Sequence, residues 1–352
     1  MSATPAYDAL HQHFARVGHL EEALEYLYWD MATQMPEGGA QARGEQLATL
    51  KVLEHQLSTD PRIGDWIARA EGEDLDGWQR ANVRECHRLW THATAVPEAL
   101  VEAQTKANSA CGQIWRTARP KNDFKAVAPY LTEVFARARE VAQIKGEIMG
   151  LDPYDALLDG FEPGARRAQI APLFDDLAAF LPGFTDQVLD AQARRGHGVF
   201  PTGPFPIATQ RDVGLHFMGV LGFDLNHGRL DVSAHPFCGG GAADVRITTR
   251  YREDDFIQSL MGVLHETGHA LYEQGRPLGW RAQPVGRARS AGVHESQSLL
   301  MEMQACRSRE FIELASPVLA RHFGGDPTPW APDNLYRIYT HVERGLIRVD
   351  AD

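Results

Sequence analysis

Several things this chain lacks narrow its class before any motif is considered. Cysteine is scarce: four occur in 352 residues, at Cys86, Cys111, Cys238 and Cys306, dispersed and without a C-x-x-C pair. That sets aside a disulfide frame and suits reduced thiols in a cytoplasm. Basic runs are missing too, and a formal charge of −12 argues against a nucleic-acid or anionic-membrane partner. No apolar run is long enough to cross a bilayer. The opening Met1-Ser2-Ala3-Thr4-Pro5 has no basic n-region followed by an apolar h-region, so no signal peptide is expected. Internal repeats, low-complexity tracts and obvious linkers are absent as well. A hydrophobic content of 43% is enough for a large core, as one helical domain or two lobes around a cleft.

What is present is concentrated at Gly262-Val263-Leu264-His265-Glu266-Thr267-Gly268-His269-Ala270-Leu271-Tyr272. Residues four apart share a helix face, so His265 and His269 can present two imidazoles to one cation. With Glu266 beside them they form H-E-x-x-H, in which two neutral imidazoles bind zinc and the carboxylate acts as base on its water. Leu260, Val263, Leu264, Ala270 and Leu271 give this helix a buried side, where unpartnered histidines and a carboxylate would be costly. A catalytic zinc takes three protein ligands and keeps an open position. The metzincin pattern would place a third His soon after, but Gly275 and Arg276 stand there. Glu295, in Gly292-Val293-His294-Glu295-Ser296-Gln297-Ser298, is the best third ligand. Pro277, Gly279, Pro284 and Gly286 make the intervening segment a loop that can return the chain. Cys238 is a further thiol that could approach the metal.

The rest reads mainly as helix. Apolar spacing predicts helices from about Tyr7 to Ala70, broken at Gly38 and Gly39, and from about Trp78 to Gly150, punctuated by Pro97, Pro120 and Pro129. Trp29-Asp30 and Met35-Pro36 read as helix packing followed by a stop, and His87 and His92 as surface or packing residues. A turn around Tyr154–Gly164 precedes a helical block from about Arg167 to Arg195. Residues 197–255 are richer in Gly and Pro. They carry the plausible strands Leu230-Asp231-Val232 and Asp244–Tyr251, the second alternating Asp244, Arg246, Thr248 and Arg250 against Val245, Ile247, Thr249 and Tyr251. Such a ribbon either holds a peptide by strand addition or is a small structural hairpin. His235-Pro236-Phe237, followed by Cys238 and three glycines, reads as a constrained turn with close backbone approach. The resulting division is a helical lobe over 1–196, a ribbon region over 197–255 and metal-site helices over 256–352, within a single domain 1–352. An amphipathic helix is expected to begin near Asp333, with Leu335, Ile338, Val342, Leu346 and Val349 on one face.

Five motifs stand in an order that resembles the thermostable, Taq-type metallocarboxypeptidases. They are His235-Pro236-Phe237, the D-x-R-x-T of Asp244, Arg246 and Thr248, the H-E-x-x-H of His265 to His269, the H-E-S-Q of His294 to Gln297, and the I-R-x-x-A-D of Ile347 to Asp352. Trp29-Asp30 with Met35-Pro36 also looks like that family's N-terminal region. The resemblance covers essentially the whole chain. It implies a mostly α, zincin-type helical fold with a deep cleft and a small β ribbon beside the zinc helix, related to neurolysin and angiotensin-converting enzyme, and commonly a homodimer. It implies a metal-dependent exopeptidase removing C-terminal residues from peptides with a free C-terminus.

The expected roles follow. His265, His269 and Glu295 hold Zn2+, with Co2+ or Mn2+ able to support the same chemistry. Glu266 is the general base. Arg348 is the first choice for the substrate carboxylate, because the resemblance points to I-R-x-x-A-D and a guanidinium fork suits the task. A surface ion pair is its other reading. His235 or Arg246 would assist the oxyanion, although Arg246 more readily orders the ribbon through Asp244. His294 would orient Glu295 or a substrate group. The family's later G-x-x-Q-D-x-H-W segment has no counterpart before Asp352. A metal-binding but inactive remnant with a regulatory or dimerisation role is therefore the second reading.

Overall fold

Glycine and proline punctuate the chain largely where their backbone chemistry requires. α1 (Pro5–Thr33) is stopped ahead of a 3-10 turn at Glu37–Gly39, and α2 (Ala40–Ser58) follows. In the computed structural model, which describes residues 3–345, the next helices are α3 (Arg62–Ala70), α4 (Gly77–Ala95), α5 (Glu98–Ala118), α6 (Phe124–Met149), α7 (Pro153–Leu158) and α8 (Arg167–Arg195). Pro97 precedes α5, and Pro120 lies in the 3-10 turn between α5 and α6. Pro129, expected to punctuate, instead lies inside α6, where a proline near the start of a long helix forfeits one hydrogen bond without ending it. α6 does end at Gly150, in the left-handed conformation at φ 64°.

After α8 come α9 (Ile207–Leu221), β1 (Gly228–Val232), β2 (Cys238–Gly241), β3 (Asp244–Thr249), α10 (Phe256–Gln274), α11 (Ala291–Leu299), α12 (Arg309–Phe323) and α13 (Pro332–Tyr339). The architecture is thus mostly α with one small three-stranded sheet. α9 corrects the reading of 197–255 as turns and strands alone. Gly214 and Gly219 mask its pattern, yet Val213, Phe217 and Met218 are buried at helical spacing. At Gly214 a Cβ would lie 3.5 Å from Val263, so this glycine marks close packing of α9 on α10.

The sheet also differs from a hairpin of the two expected strands. Its order is β1-β3-β2, with β1 parallel and β2 antiparallel to β3. β2 went unseen because Cys-Gly-Gly-Gly has no side-chain alternation to read. Its glycines permit the close approach: a Cβ on Gly240, at φ 86°, would sit 2.3 Å from the Asp244 carbonyl. β3 has a partner on both edges, so a peptide could add to this sheet only along β1 or β2.

Two compact units emerge. The first takes residues 1–18, 51–172 and 282–290; the second takes 19–50, 173–281 and 291–352. In the first, Leu10, Phe14, Ile63, Ile67, Val83 and Cys86 form the core. The buried Asn82 donates to Gln283 Oε1 at 2.9 Å and accepts from the Val285 N–H, fixing the 282–290 segment. In the second, α10 is buried on nearly every side. One cluster includes Phe205, Phe217, Phe256, Leu264, Leu319 and Trp330, and another Met218, Leu230, Val245, Ile247 and Val263.

The expected helix running from Asp333 past Val342 stops at Tyr339. The Gln192 side chain captures both backbone groups of Val342, donating to its carbonyl at 2.9 Å and accepting from its N–H at 2.7 Å. That pairing replaces the helical hydrogen bonds Val342 would otherwise make. Leu346, Arg348 and Val349 lie outside the described residues.

Candidate metal centre

α10 starts cleanly: Asp255 caps it, its carboxylate accepting from the N–H groups of Ile257 and Gln258. Burial of Leu260, Val263, Leu264 and Ala270 anchors the helix and takes the H-E-x-x-H residues inward with it. His265 is 4% and Glu266 3% exposed, levels at which polar groups need partners or a cation. A tight helix crossing brings Glu295 to them. On Gly268 a Cβ would stand 2.5 Å from the Gln297 carbonyl oxygen and 2.6 Å from Ser298 Cα. Any side chain there would force α10 and α11 apart. With glycine, Glu295 Oε2 lies 3.4 Å from His269 Nε2 and 4.0 Å from His265 Nε2. One donor atom from each of the three lies within 4.8 Å of the others.

The surroundings bias these groups. His265 Nδ1–H donates to Glu302 Oε2 at 3.1 Å, which turns Nε2 to the Glu295 side, 4.0 Å from Oε2. Burial depresses His265, but the Glu302 hydrogen bond and the charges of Glu266 and Glu295 carry it above the ordinary value. His269 is pushed down to about 4 by burial and by the neighbouring His294 and His265. It is therefore neutral at pH 7, the form a metal ligand requires. Two imidazole nitrogens and a carboxylate gathered within 4.8 Å of one another form the kind of donor set that a divalent cation bridges. The donor set is also the one that suits zinc.

Two neighbours were missed from sequence. Glu302 sits in the π-helical stretch Leu300–Ala305 that continues α11, and Arg307 holds its Oε1 at 2.7 Å. Its spacing of seven from Glu295, two helical turns, was the available signal. Glu273, four residues after His269, accepts from His294 Nε2 at 3.1 Å and also pairs with Arg276. Burial pushes Glu273 up, but His294 and Arg276 bring it below the ordinary range. His294 thus meets Glu273 while its ring stacks on His269, with centroids 4.5 Å apart.

The remaining candidates sit elsewhere. Arg246 grips Asp244 in a fork at 2.6–3.1 Å and covers the rings of Tyr26 and Trp29 at 4.8 and 4.5 Å. The exposed His235 is in the turn before β2, whose next residue, Pro236, lines the same cavity as His265. Burial pushes the Cys238 thiol well above its usual value, and Cys238 is not one of the three clustered donors. Arg348 lies outside the described residues.

The family described as carboxypeptidase Taq (M32) metallopeptidase matches residues 9–352. The chain is similar to thermostable carboxypeptidase 1 of Thermus thermophilus, with 39% identity across all of this chain and 71% of that protein. Among solved structures, it is similar to Trypanosoma cruzi metallocarboxypeptidase 1 (TM-score 0.95, 42% identity, 99% of this chain and 70% of that one). It is also similar to the M32 carboxypeptidase of Deinococcus radiodurans (TM-score 0.90, 32% identity, 99% of this chain and 70% of that one). By the family match and these identities, the chain belongs to the carboxypeptidase Taq (M32) family and is a metallocarboxypeptidase.

Proposed function

We propose that His265, His269 and Glu295 hold the divalent metal that the family implies, zinc in the first instance, and that Glu266 is the general base for hydrolysis of the C-terminal peptide bond. The carrying observation is the convergence of the two Nε2 atoms on Glu295 Oε2 at 3.4 and 4.0 Å. When bound, the metal supplies a Lewis acid that acidifies a water towards neutral pH and polarises a carbonyl. Glu266, buried next to His265 in the sequence, accepts the proton of the attacking water and returns it to the leaving amine nitrogen. Glu302, through Nδ1, fixes the tautomer and ring plane of His265. Glu273 and His294 brace His269 from its other face. Asp244 orders Arg246 on the sheet. On the same reading the enzyme acts in the cytoplasm, supported by four free, dispersed cysteines, and as a homodimer, supported by the family resemblance.

The test is to offer the zinc- or cobalt-loaded chain a peptide with a free C-terminus and the same peptide amidated, with Glu266→Gln as control. Stepwise release from the free form only, lost in the variant, is expected. Bound metal in stoichiometric amount with no release would favour the inactive, metal-binding remnant.

A further inference from the structure

His265 is held from behind by a relay that leads away from the metal centre within the second unit. Its Nδ1–H donates to Glu302 Oε2 at 3.1 Å, Arg307 Nη2 donates to Glu302 Oε1 at 2.7 Å, and Arg307 Nη1 donates to the Tyr339 carbonyl at 2.8 Å. Both oxygens of one carboxylate are engaged, which fixes its plane as well as its charge. The pairing depends on the wide turn in which Glu302 sits. Glu302 and Arg307 are five residues apart, whereas neighbours on an α-helix are three or four apart. The stretch Leu300–Ala305 is π-helical, and the Cys306 N–H reaches back five residues to the Met301 carbonyl at 2.8 Å. Arg307 follows directly and meets Glu302. The far end of the relay is firm too: Tyr339 closes α13 and lies in the same core cluster as Leu264, the residue before His265. Arg307 holds its two contacts at a cost, since its Nε is buried without a hydrogen-bond partner. A lysine would strand no such group, but its single ammonium lacks the fixed fork that reaches two acceptors in set directions.

We propose that Arg307 is a positioning residue for the metal centre: braced on the Tyr339 carbonyl, it sets the plane of Glu302 and, through it, the direction of His265 Nε2. The inference rests on the reading of His265, His269 and Glu295 as metal ligands. It adds that the last turn of α13, remote in sequence from all three, belongs to their support.

Zinc affinity of the full chain, read by competition with a chelator, separates this role from packing. Arg307→Ala should lower it about 10-fold, the lower end of what removing an outer partner of a metal-binding histidine costs. In the Glu302→Ala background the same substitution should have no further effect, because an effect that passes wholly through Glu302 is not additive with its removal. Arg307→Lys should restore part of the affinity. Ser316→Ala, which removes a buried hydrogen bond from α12 to the Trp330 carbonyl and has no link to Glu302, should leave it unchanged. A readout independent of metal comes from magnetic resonance of the zinc-free chain carrying isotope-labelled histidine. The His265 Nδ1–H proton, identified by its absence in His265→Gln, should give a slowly exchanging signal that Arg307→Ala weakens. The proposal is overturned if Arg307→Ala leaves both affinity and signal as in the parent, if it costs as much affinity without Glu302 as with it, or if Ser316→Ala costs the same. Should zinc affinity be indifferent to His269→Ala while Arg307→Ala still weakens the signal, the positioning role stands and the ligand reading fails. Zinc held through His269, with affinity and signal both indifferent to Arg307, does the reverse.

Discussion

Each of the two units contains a buried cluster of histidine, carboxylate and cation, and the two are wired oppositely. In the first unit, Lys145 donates to His92 Nδ1 at 3.2 Å and His92 Nε2–H donates to Asp159 Oδ2 at 3.1 Å. Asp159 Oδ1 accepts from the Gly164 N–H and from Arg166. Each of these contacts puts a proton between two heavy atoms, so the network is closed and ties α4, α6 and the turn after α7 together. In the second unit, the outer contacts of His265 and His294 to Glu302 and Glu273 are of that kind. The inner three donors, on His265, His269 and Glu295, instead converge within 4.8 Å of one another, the arrangement of a metal-ligand set. Burial and charge alone do not mark a functional site. What separates the two clusters is that only the second gathers three ligand-type side chains around one point.

That contrast can be broken most sharply at the base. Glu266→Gln preserves the shape of the site while removing proton transfer, so turnover should fall by about 10²- to 10⁴-fold with metal content unchanged. Loss of metal in this variant would mean that Glu266 is a ligand and that the assignment of roles is wrong. In the first unit the matching variant is Asp159→Ala, which strands His92 and Arg166. Breaking a buried pair costs about 3–5 kcal/mol, and denaturant unfolding should show a loss of that order with zinc affinity untouched. A variant as stable as the parent would show that the closed network holds nothing together. Next in size is Glu302→Ala. Removal of a carboxylate that orients a metal-binding histidine typically costs about 10- to 100-fold in affinity; competition with a chelator should register it. An unchanged affinity would make Glu302 a structural partner of Arg307 alone.

The difference in wiring also explains what could be read from sequence. Spacing of four on one helix announced His265 and His269, and the return loop pointed to Glu295, because helical periodicity converts sequence distance into direction. The crossing that lets Glu295 arrive depends on Gly268 lying 2.5 Å from opposing backbone when given a Cβ; no single-residue pattern declares that. Glu302 was hidden by a π-helical stretch, and His92 looked like a packing residue because its partners lie 53 and 67 positions away. α9 and β2 escaped for a shared reason, since glycines carry no side chain to reveal a period. Long helices with apolar stripes, such as α8, were legible almost to the residue.

The smallest expected effect is the pH dependence of the closed cluster, and its sign is fixed. Burial, aided by Lys145, holds His92 below its ordinary value despite the Asp159 hydrogen bond. Lys145 is likewise lowered by burial. Burial pushes Asp159 up, but Gly164, His92 and Arg166 more than offset this and leave it lowered. With all three lowered, the unfolded chain binds more protons than the folded one through each range, so stability rises with pH. The His92 contribution is complete above the ordinary histidine value of about 6.5 and is lost as pH falls below it. The Asp159 contribution is complete above the ordinary carboxylate value of about 3.9 and fades as pH drops through it towards the lowered folded value. His92→Gln should remove only the first of these. Denaturation midpoints for parent and variant should therefore differ in slope as pH falls below about 6.5 and become parallel once His92 is protonated in both folded and unfolded chains; parallel curves throughout would mean that His92 does not titrate against folding and that the network is carried by Asp159 and its cations alone.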